Sequence, residues 1–567
     1  MKAIIISFLT LISILSCSFS QKIKDGETAY ERKQYYVASE LLLDEYESVK
    51  SESSKARKAF LLGRSYLKLQ EYSEALYWFK KSVALNYGPE ALGNLATTYK
   101  MMEEYEAAIA TYNILSQKTG RKQENDREVL MCMQAIASKS VHSDYLIEKI
   151  FENSGTSDYG PVLFENDFLL FTSERSESSG NGIYNWTGEK FSDIFIVRKS
   201  GSDIKRFDSA INTEENEGTC WFSKDMNTVI FTRCYSFDSG DDFCKLMISK
   251  RDNRVWSEPE VLPFINDKIN YGQATFIEND SVLVFSSDLM EPGGSLDLYY
   301  TELSGDGTWS LPEKLPSSIN SSGNEKFPTG DGDTLYFSSD FWQGLGGFDI
   351  FKTYLRKDGS WSVPINIGYP VNSGGDDFSL IVDYSAKRSA NILQQGYFSS
   401  SRYGNGKDDI YRFKKLIPMK EPDTISKTEK EPVSIFVTVK TFMNDFEVKE
   451  DPNSKVIGRR LLGDSYIKIV DGNNLKVVDG YTDQNGFYFT QIDSEKLLKV
   501  IASKLDFLNA SKEFTTKNLV FKEGENTLTI NIELLLDRIY TDKEINLSNI
   551  YYDYDKWDIK DVAKPTL

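Results

Sequence analysis

The chain has 567 residues, a formal charge of −19 and a single histidine, His142. That length exceeds what one hydrophobic core serves, so several domains are expected. The negative charge argues against a nucleic-acid partner, and one histidine argues against a Ser-His-Asp triad, His-based acid–base catalysis or a His-rich zinc site.

Met1-Lys2 and the apolar run Ala3 to Leu15 read as an export leader, too short to span a bilayer comfortably. Cleavage between Ser20 and Gln21 suits the small residues before it and is the favoured reading. The alternative is lipidation at Cys17, since Ile14-Leu15-Ser16-Cys17 has the outline of a lipobox. No later stretch is apolar enough to cross a membrane, so no transmembrane span is expected after leader removal.

From about 25 to 140 the pattern is helical. Tyr66, Tyr72 and Ala75 return as Tyr99, Tyr105 and Ala108, and an earlier copy has Tyr30, Tyr36 and Ser39. Repeats of this length, with small residues at Gly63, Ala75, Ala96 and Ala108 and aromatics at Tyr66, Trp78 and Tyr99, predict stacked helix pairs that bury one face. His142 lies at the seam that follows and reads as a solvated surface position.

From 145 to 413 one strand pattern returns five times: apolar residues, Phe, small hydroxyls, then a charge. The Phe positions are Phe171, Phe231, Phe285, Phe337 and Phe398, at intervals of 52 to 61 residues. Each is followed by a second strand: Asp193-Ile194-Phe195, Lys245-Leu246-Met247, Asp297-Leu298-Tyr299, Asp349-Ile350-Phe351 and Asp409-Ile410-Tyr411. Outer strands end near Ile211-Asn212, Ile265-Asn266, Ile319-Asn320 and Val371-Asn372. This predicts a five-bladed β-propeller, a sixth blade being possible only if one has escaped the pattern. The fifth copy lacks an outer strand, and Tyr145 to Asn153 is expected to complete it and leave no open edge.

Carried through that register, Cys234 faces Cys244, a candidate disulfide in an exported protein, with two packed thiols as the alternative. The acidic loop Tyr235 to Asp242 lacks the EF-hand pattern, so turn chemistry is favoured over calcium. No metal or cofactor is expected. Asp306-Gly307 and Asp358-Gly359 are hairpin turns before Trp309 and Trp361, and Gly346 to Asp349 is a turn rather than a phosphate loop.

Residues 414–432, with Pro418, Pro422 and Pro432, read as a linker. Alternating strands at 433–535 suggest a small antiparallel sandwich. The segment 546–567, opening on Leu547-Ser548-Asn549-Ile550-Tyr551-Tyr552, has an apolar strand face with no sheet to join.

Several of these stretches resemble known families. The helical repeats resemble tetratricopeptide repeats, and the Asp-Gly-Thr-Trp and Asp-Gly-Ser-Trp turns resemble the structural Asp-box of sialidases. Thr482-Asp483-Gln484-Asn485-Gly486-Phe487-Tyr488 resembles a carboxypeptidase-regulatory-like domain. Tyr551 to Pro565 looks like the opening of an OmpA C-terminal-like domain, without the downstream Asp and Arg through which that family holds peptidoglycan. In order, the modules resemble multidomain OmpA-family periplasmic proteins of the Bacteroidetes, among them a type IX secretion component with PD40/WD40-like blades. The resemblance implies a periplasmic, outer-membrane-associated protein. Its expected function is a non-enzymatic scaffold that contacts envelope proteins through the helical and propeller surfaces, and peptidoglycan only if the last domain is complete. The alternative is a glycan- or peptide-binding propeller, TolB-like. A carboxylate-pair glycosidase is a third reading, the one hydrolase class that tolerates so few histidines.

Overall fold

The computed structural model describes residues 23–539 except 141–142, 151–153, 181, 236–242, 358, 386–390, 418–433, 449–450, 473–474, 484, 495, 518 and 520–526. Among them are seven helices stacked in pairs, followed by seven small sheets. The helices are α1 (Gly26–Glu31), α2 (Tyr35–Ser48), α3 (Glu52–Lys68), α4 (Tyr72–Ala84), α5 (Pro89–Met101), α6 (Tyr105–Thr119) and α7 (Lys122–Ser140). Gly63 shows why small residues recur here: a Cβ added to it would sit 2.6 Å from the Phe79 ring of the paired helix. Ala75, Ala96 and Ala108 are wholly buried, and Trp78 packs edge-on against Tyr46.

Five antiparallel sheets come next. Their first strands are Asp158–Phe164, Asn216–Phe222, Tyr271–Ile277, Glu325–Asp331 and Asp377–Val382. Each of these touches the next, and the fifth touches the first, so the five sheets form a ring of propeller type. The fifth sheet is completed by Tyr145–Lys149, which pairs antiparallel with Asp409–Leu416 (Tyr145 opposite Lys415, Lys149 opposite Tyr411). That partner strand extends to Leu416, into the stretch expected to be linker.

The repeating motif has a physical reason at each position. Phe171, Phe285, Phe337 and Phe398 stand opposite Phe195, Tyr299, Phe351 and Tyr411, stacked at centroid distances of 5.6–6.2 Å. All five motif Phe residues are buried, Phe231 against Met247 in the second copy. In three of the five copies the following hydroxyl stitches neighbouring sheets. Thr219 N–H donates to Thr172 Oγ1 at 2.8 Å, Gln273 N–H to Thr232 Oγ1 at 3.0 Å, and Gly160 N–H to Ser399 Oγ at 3.0 Å, the last across the closure. The charge that ends the motif either ties back into its own sheet or fixes a loop. Arg233 and Arg402 pair with the buried Glu217 and Asp377, as Arg175 beside the first copy's Glu174 does with Asp158, whereas Asp288 and Asp340 accept the N–H and amide of Asn270 and Asn324.

The Ile-Asn signal also resolves into chemistry. Asn212 and Asn372 each accept from, and donate to, the backbone of the second residue of the third strand, Ile194 and Ile350, as Asn320 does with Leu298. The side chain thereby continues the fourth strand's pairing where its backbone turns away.

The last two sheets, built from 434–539, share a core of Ile435, Val437, Val439, Ile467, Ile469, Val500 and Ile532. They are not wholly antiparallel as expected, because Ser434–Phe446 pairs parallel with Thr527–Leu535. These are the first and last strands of the unit, so the whole unit serves as the long crossover that parallel pairing requires. Arg127 of α7 joins the three parts. Its guanidinium lies 4.7 Å from the Phe341 ring of the fourth sheet's loop and 5.4 Å from Phe487, donates to the Phe341 carbonyl, and stands 3.9 Å from Asp483. Segments 1–22 and 540–567, carrying the leader and the OmpA-like opening, lie outside the described residues, as does His142.

Asn372→Ala removes the partner of the buried Ile350 N–H, while the Ile350 carbonyl keeps Ile367 N–H. The ring is expected to lose about 1–3 kcal/mol, read from the urea midpoint at unchanged m.

Candidate functional site

The helical region sits on the end of the ring where each first strand begins. Tyr36 N–H donates to the Trp186 carbonyl at 3.0 Å, Tyr72 N–H to the Gly404 carbonyl at 3.3 Å, and Gly374 N–H to Glu103 Oε1 at 3.0 Å. Gly188 and Gly404 make this seating possible, since a Cβ on either would enter the ring of Tyr36 or Tyr72. These contacts fall on the loops of the first and fifth sheets, and Arg127 adds the fourth. Between helices and ring lies a chamber of about 1390 Å³. The helix face with Thr97, Lys100 and Met101 and the ring floor thus line one cavity instead of offering two separate surfaces.

The floor comes from a distortion repeated in every sheet. Each first strand shifts register once, between Tyr159/Val162, Gly218/Cys220, Gly272/Thr275, Lys326/Thr329 and Phe378/Ile381. Within each shift one residue is left-handed: Gly160, Thr219, Gln273, Phe327 and Ser379, with φ between 35° and 64°. Four of the five are not glycine, so backbone strain is stored around the channel. On one side the floor is aromatic, with the Phe327 and Phe378 centroids 4.4 Å apart and Tyr159 6.2 Å from Phe378. On the other it carries Thr219, Thr232, Gln273 and Ser286, joined by hydrogen bonds.

Carboxylates line the wall on the side of the first and fifth sheets. Gln70 Nε2, from the turn between α3 and α4, donates to Asp376 Oδ2 at 3.2 Å and to Asp408 Oδ1 at 3.1 Å. Burial, reinforced by Asp376, pushes Asp408 up to about 7. Burial, reinforced by Asp408, pushes Glu174 up to about 8, against a hydrogen bond from Thr187. Asp376 is raised by burial, and Lys326, whose ammonium lies 4.9 Å from the Phe348 ring, is lowered by burial. The cluster therefore holds protonated and ionised carboxyls together near neutral pH, the condition for proton transfer as well as for hydrogen bonding.

Of the residues singled out from sequence, Cys234 and Cys244 form a disulfide on the chamber wall. Cys132 and Cys220 are buried free thiols. Cys17, Ser20, Gln21 and loop residues 236–242 lie outside the described residues. Asp376, Asp408 and Gln70 were missed. A signal existed in the doublets Asp376-Asp377 and Asp408-Asp409: Asp377 pairs with Arg402 and Asp409 with Lys149 inside the sheet, while the first acid of each doublet is left for the chamber.

No family model and no curated protein matches the chain. Similar solved structures include an α-L-arabinofuranosidase from Lactobacillus brevis (11% identity, 46% of this chain and 90% of that one, TM-score 0.31). Others are an endo-arabinase from Bacteroides thetaiotaomicron (12%, 48% and 99%, TM-score 0.30) and the aldose sugar dehydrogenase of Escherichia coli (8%, 48% and 99%, TM-score 0.28). No residue role crosses from them at these identities. The expectation of a non-enzymatic scaffold is nonetheless corrected and not retained. The face expected to be free of chemistry holds a buried carboxyl cluster.

Because Glu174 titrates at about 8 in the folded chain against an ordinary 4.5, folding favours its protonated form. Its contribution is complete below about pH 4.5 and is lost as pH rises to about 8. Glu174→Gln should flatten the fall in melting temperature between pH 5 and 8 and make the variant the more stable protein at pH 8, by on the order of a few kcal/mol. Thermal unfolding at the two pH values reads this directly.

Proposed function

We propose that the ring is a five-bladed β-propeller capped by a tetratricopeptide-type arm, and that the chamber between them binds a glycan. The observation that carries this is the divided floor. A sugar ring has an apolar C–H face and a rim of hydroxyls, so it needs an aromatic platform beside hydrogen-bonding side chains. Tyr159, Phe327 and Phe378 supply the first, and Thr219, Thr232, Gln273 and Ser286 the second. A peptide is the weaker match, because extended peptides dock by adding to a strand edge and each first strand here is broken by its left-handed bulge. The chamber exceeds the usual small-ligand range of roughly 300–1,000 Å³ and has room for an oligosaccharide.

Turnover of the bound glycan is a second reading, favoured by Glu174 and Asp408 standing together with raised pKa values. An acid still protonated near neutrality beside an ionisable carboxylate is the pairing that glycoside hydrolysis uses. The leader, and the resemblance to multidomain OmpA-family periplasmic proteins, support an envelope location where wall and surface glycans are within reach. Among the described residues no helix is long and apolar enough to cross a membrane.

Calorimetric titration with a panel of neutral oligosaccharides, arabinan and cellulose fragments among them, is expected to find a binder. Phe327→Ala and Gln273→Ala should each weaken it about 5- to 50-fold while circular dichroism stays unchanged. Binding of extended peptides with no oligosaccharide bound at millimolar concentration would reject the glycan assignment. Release of reducing ends, abolished by Glu174→Gln, would establish turnover.

A further inference from the structure

Three turns of the helical region share one backbone geometry. Lys33, Gln70 and Glu103 each end the first helix of a pair with a left-handed residue, at φ of 58°, 59° and 60°. All three turns meet the ring: Tyr36 follows the first onto Trp186, Glu103 of the third accepts from Gly374, and the second makes the most extensive seat. There Gly406 N–H donates to the Gln70 carbonyl at 3.1 Å, and the Tyr72 hydroxyl lies 2.9 Å from Ser401 Oγ. The Gln70 side chain alone reaches on into the carboxyl cluster. A primary amide nitrogen has two N–H donors, and each meets a carboxylate from a different loop of the fifth sheet, Asp376 before its first strand and Asp408 before its third.

Two convergent donors on one small group are what neighbouring hydroxyls of a sugar would also present to that carboxylate pair. We propose that Gln70 is a built-in stand-in for the ligand, a latch that holds the helical arm shut over Asp376 and Asp408 until glycan hydroxyls displace it. The proposal rests on the glycan reading of the chamber and specifies its regulation. The latch is exchangeable because its bonds, at 3.1 and 3.2 Å, come from a neutral amide and lie at the long end of the ordinary N–H···O range of about 2.7–3.2 Å. Its removal exposes two buried acids to an incoming donor instead of leaving them unpaired. A protein that must release an internal competitor binds more weakly by the fraction of molecules already open, so deleting the competitor raises affinity.

The test uses the full chain with Gln70→Ala, and Gln70→Gly as a second variant that suits the left-handed turn. Wild type and both variants are titrated with arabinan and cellulose oligosaccharides, and backbone hydrogen exchange is followed over residues 66–76 and 401–408. The latch predicts at least fivefold tighter binding in both variants, with faster exchange in both segments before ligand is added. Unchanged or weaker binding overturns the latch and leaves the glycan reading intact. Faster exchange with no oligosaccharide bound by any of the three proteins removes the glycan reading, and with it Gln70 as a ligand stand-in, leaving a hinged arm. Unchanged exchange overturns the latch whatever the affinities.

Discussion

The structure depends on one antiparallel pairing, that of Tyr145–Lys149 with Asp409–Leu416. It joins the residues that enter the ring to those that leave it, so the five sheets close without an unpaired edge between last and first. Ile147 and Tyr145 pack into the same cluster as Phe398 and Phe413, which adds apolar burial to the hydrogen bonds. The pairing also sets where the helices lie. Helix α7 ends at Ser140 and the closing strand begins at Tyr145, so the short connection holds the helical stack at the ring's edge.

With that tether in place, the rest of the interface mixes hydrogen bonds with aromatic contacts such as Tyr35 on Trp186. Trp186, Gly374 and Gly404 meet successive turns of the helical stack, and Arg127 reaches through to the final pair of sheets. Apolar burial holds each module together, and smaller apolar contacts (Leu345 with Tyr105 and Ala108, Trp342 with Phe487) join hydrogen bonds and the Arg127 guanidinium in holding the modules to one another. Interfaces of this kind are weaker than cores and permit relative motion. A chamber roofed by such an interface is partly covered and capable of opening further.

Burial raises Glu217 and Asp377 as it raises the chamber acids, so what divides the acids of the ring into two populations is the partner each one faces. Asp158, Glu217 and Asp377 each face an arginine on or just past the neighbouring strand and serve the sheet. Glu174, Asp376 and Asp408 face the chamber, where burial raises all three and neighbouring acids add to the rise of Glu174 and Asp408. Both populations occupy neighbouring positions in the same motif, which is why residue type alone does not separate structural from chemical carboxylates.

Read alone, the sequence determined the repeat and most of its consequences. Hydrophobic period, the spacing of Phe171 to Phe398, the Ile-Asn ends and the unmatched strand at Tyr145 are local patterns, and local patterns encode sheets, registers and the facing of Cys234 with Cys244. Where helices and ring meet was decided by tertiary structure, because that contact is made by residues hundreds of positions apart, such as Gln70 with Asp408. The left-handed bulges at Thr219, Gln273 and Phe327 were likewise invisible, since none is a glycine and nothing in its neighbours marks the strain. A periodic signal records what each residue must bury, but a cavity is defined by what two surfaces leave unfilled, and that requires both surfaces in place.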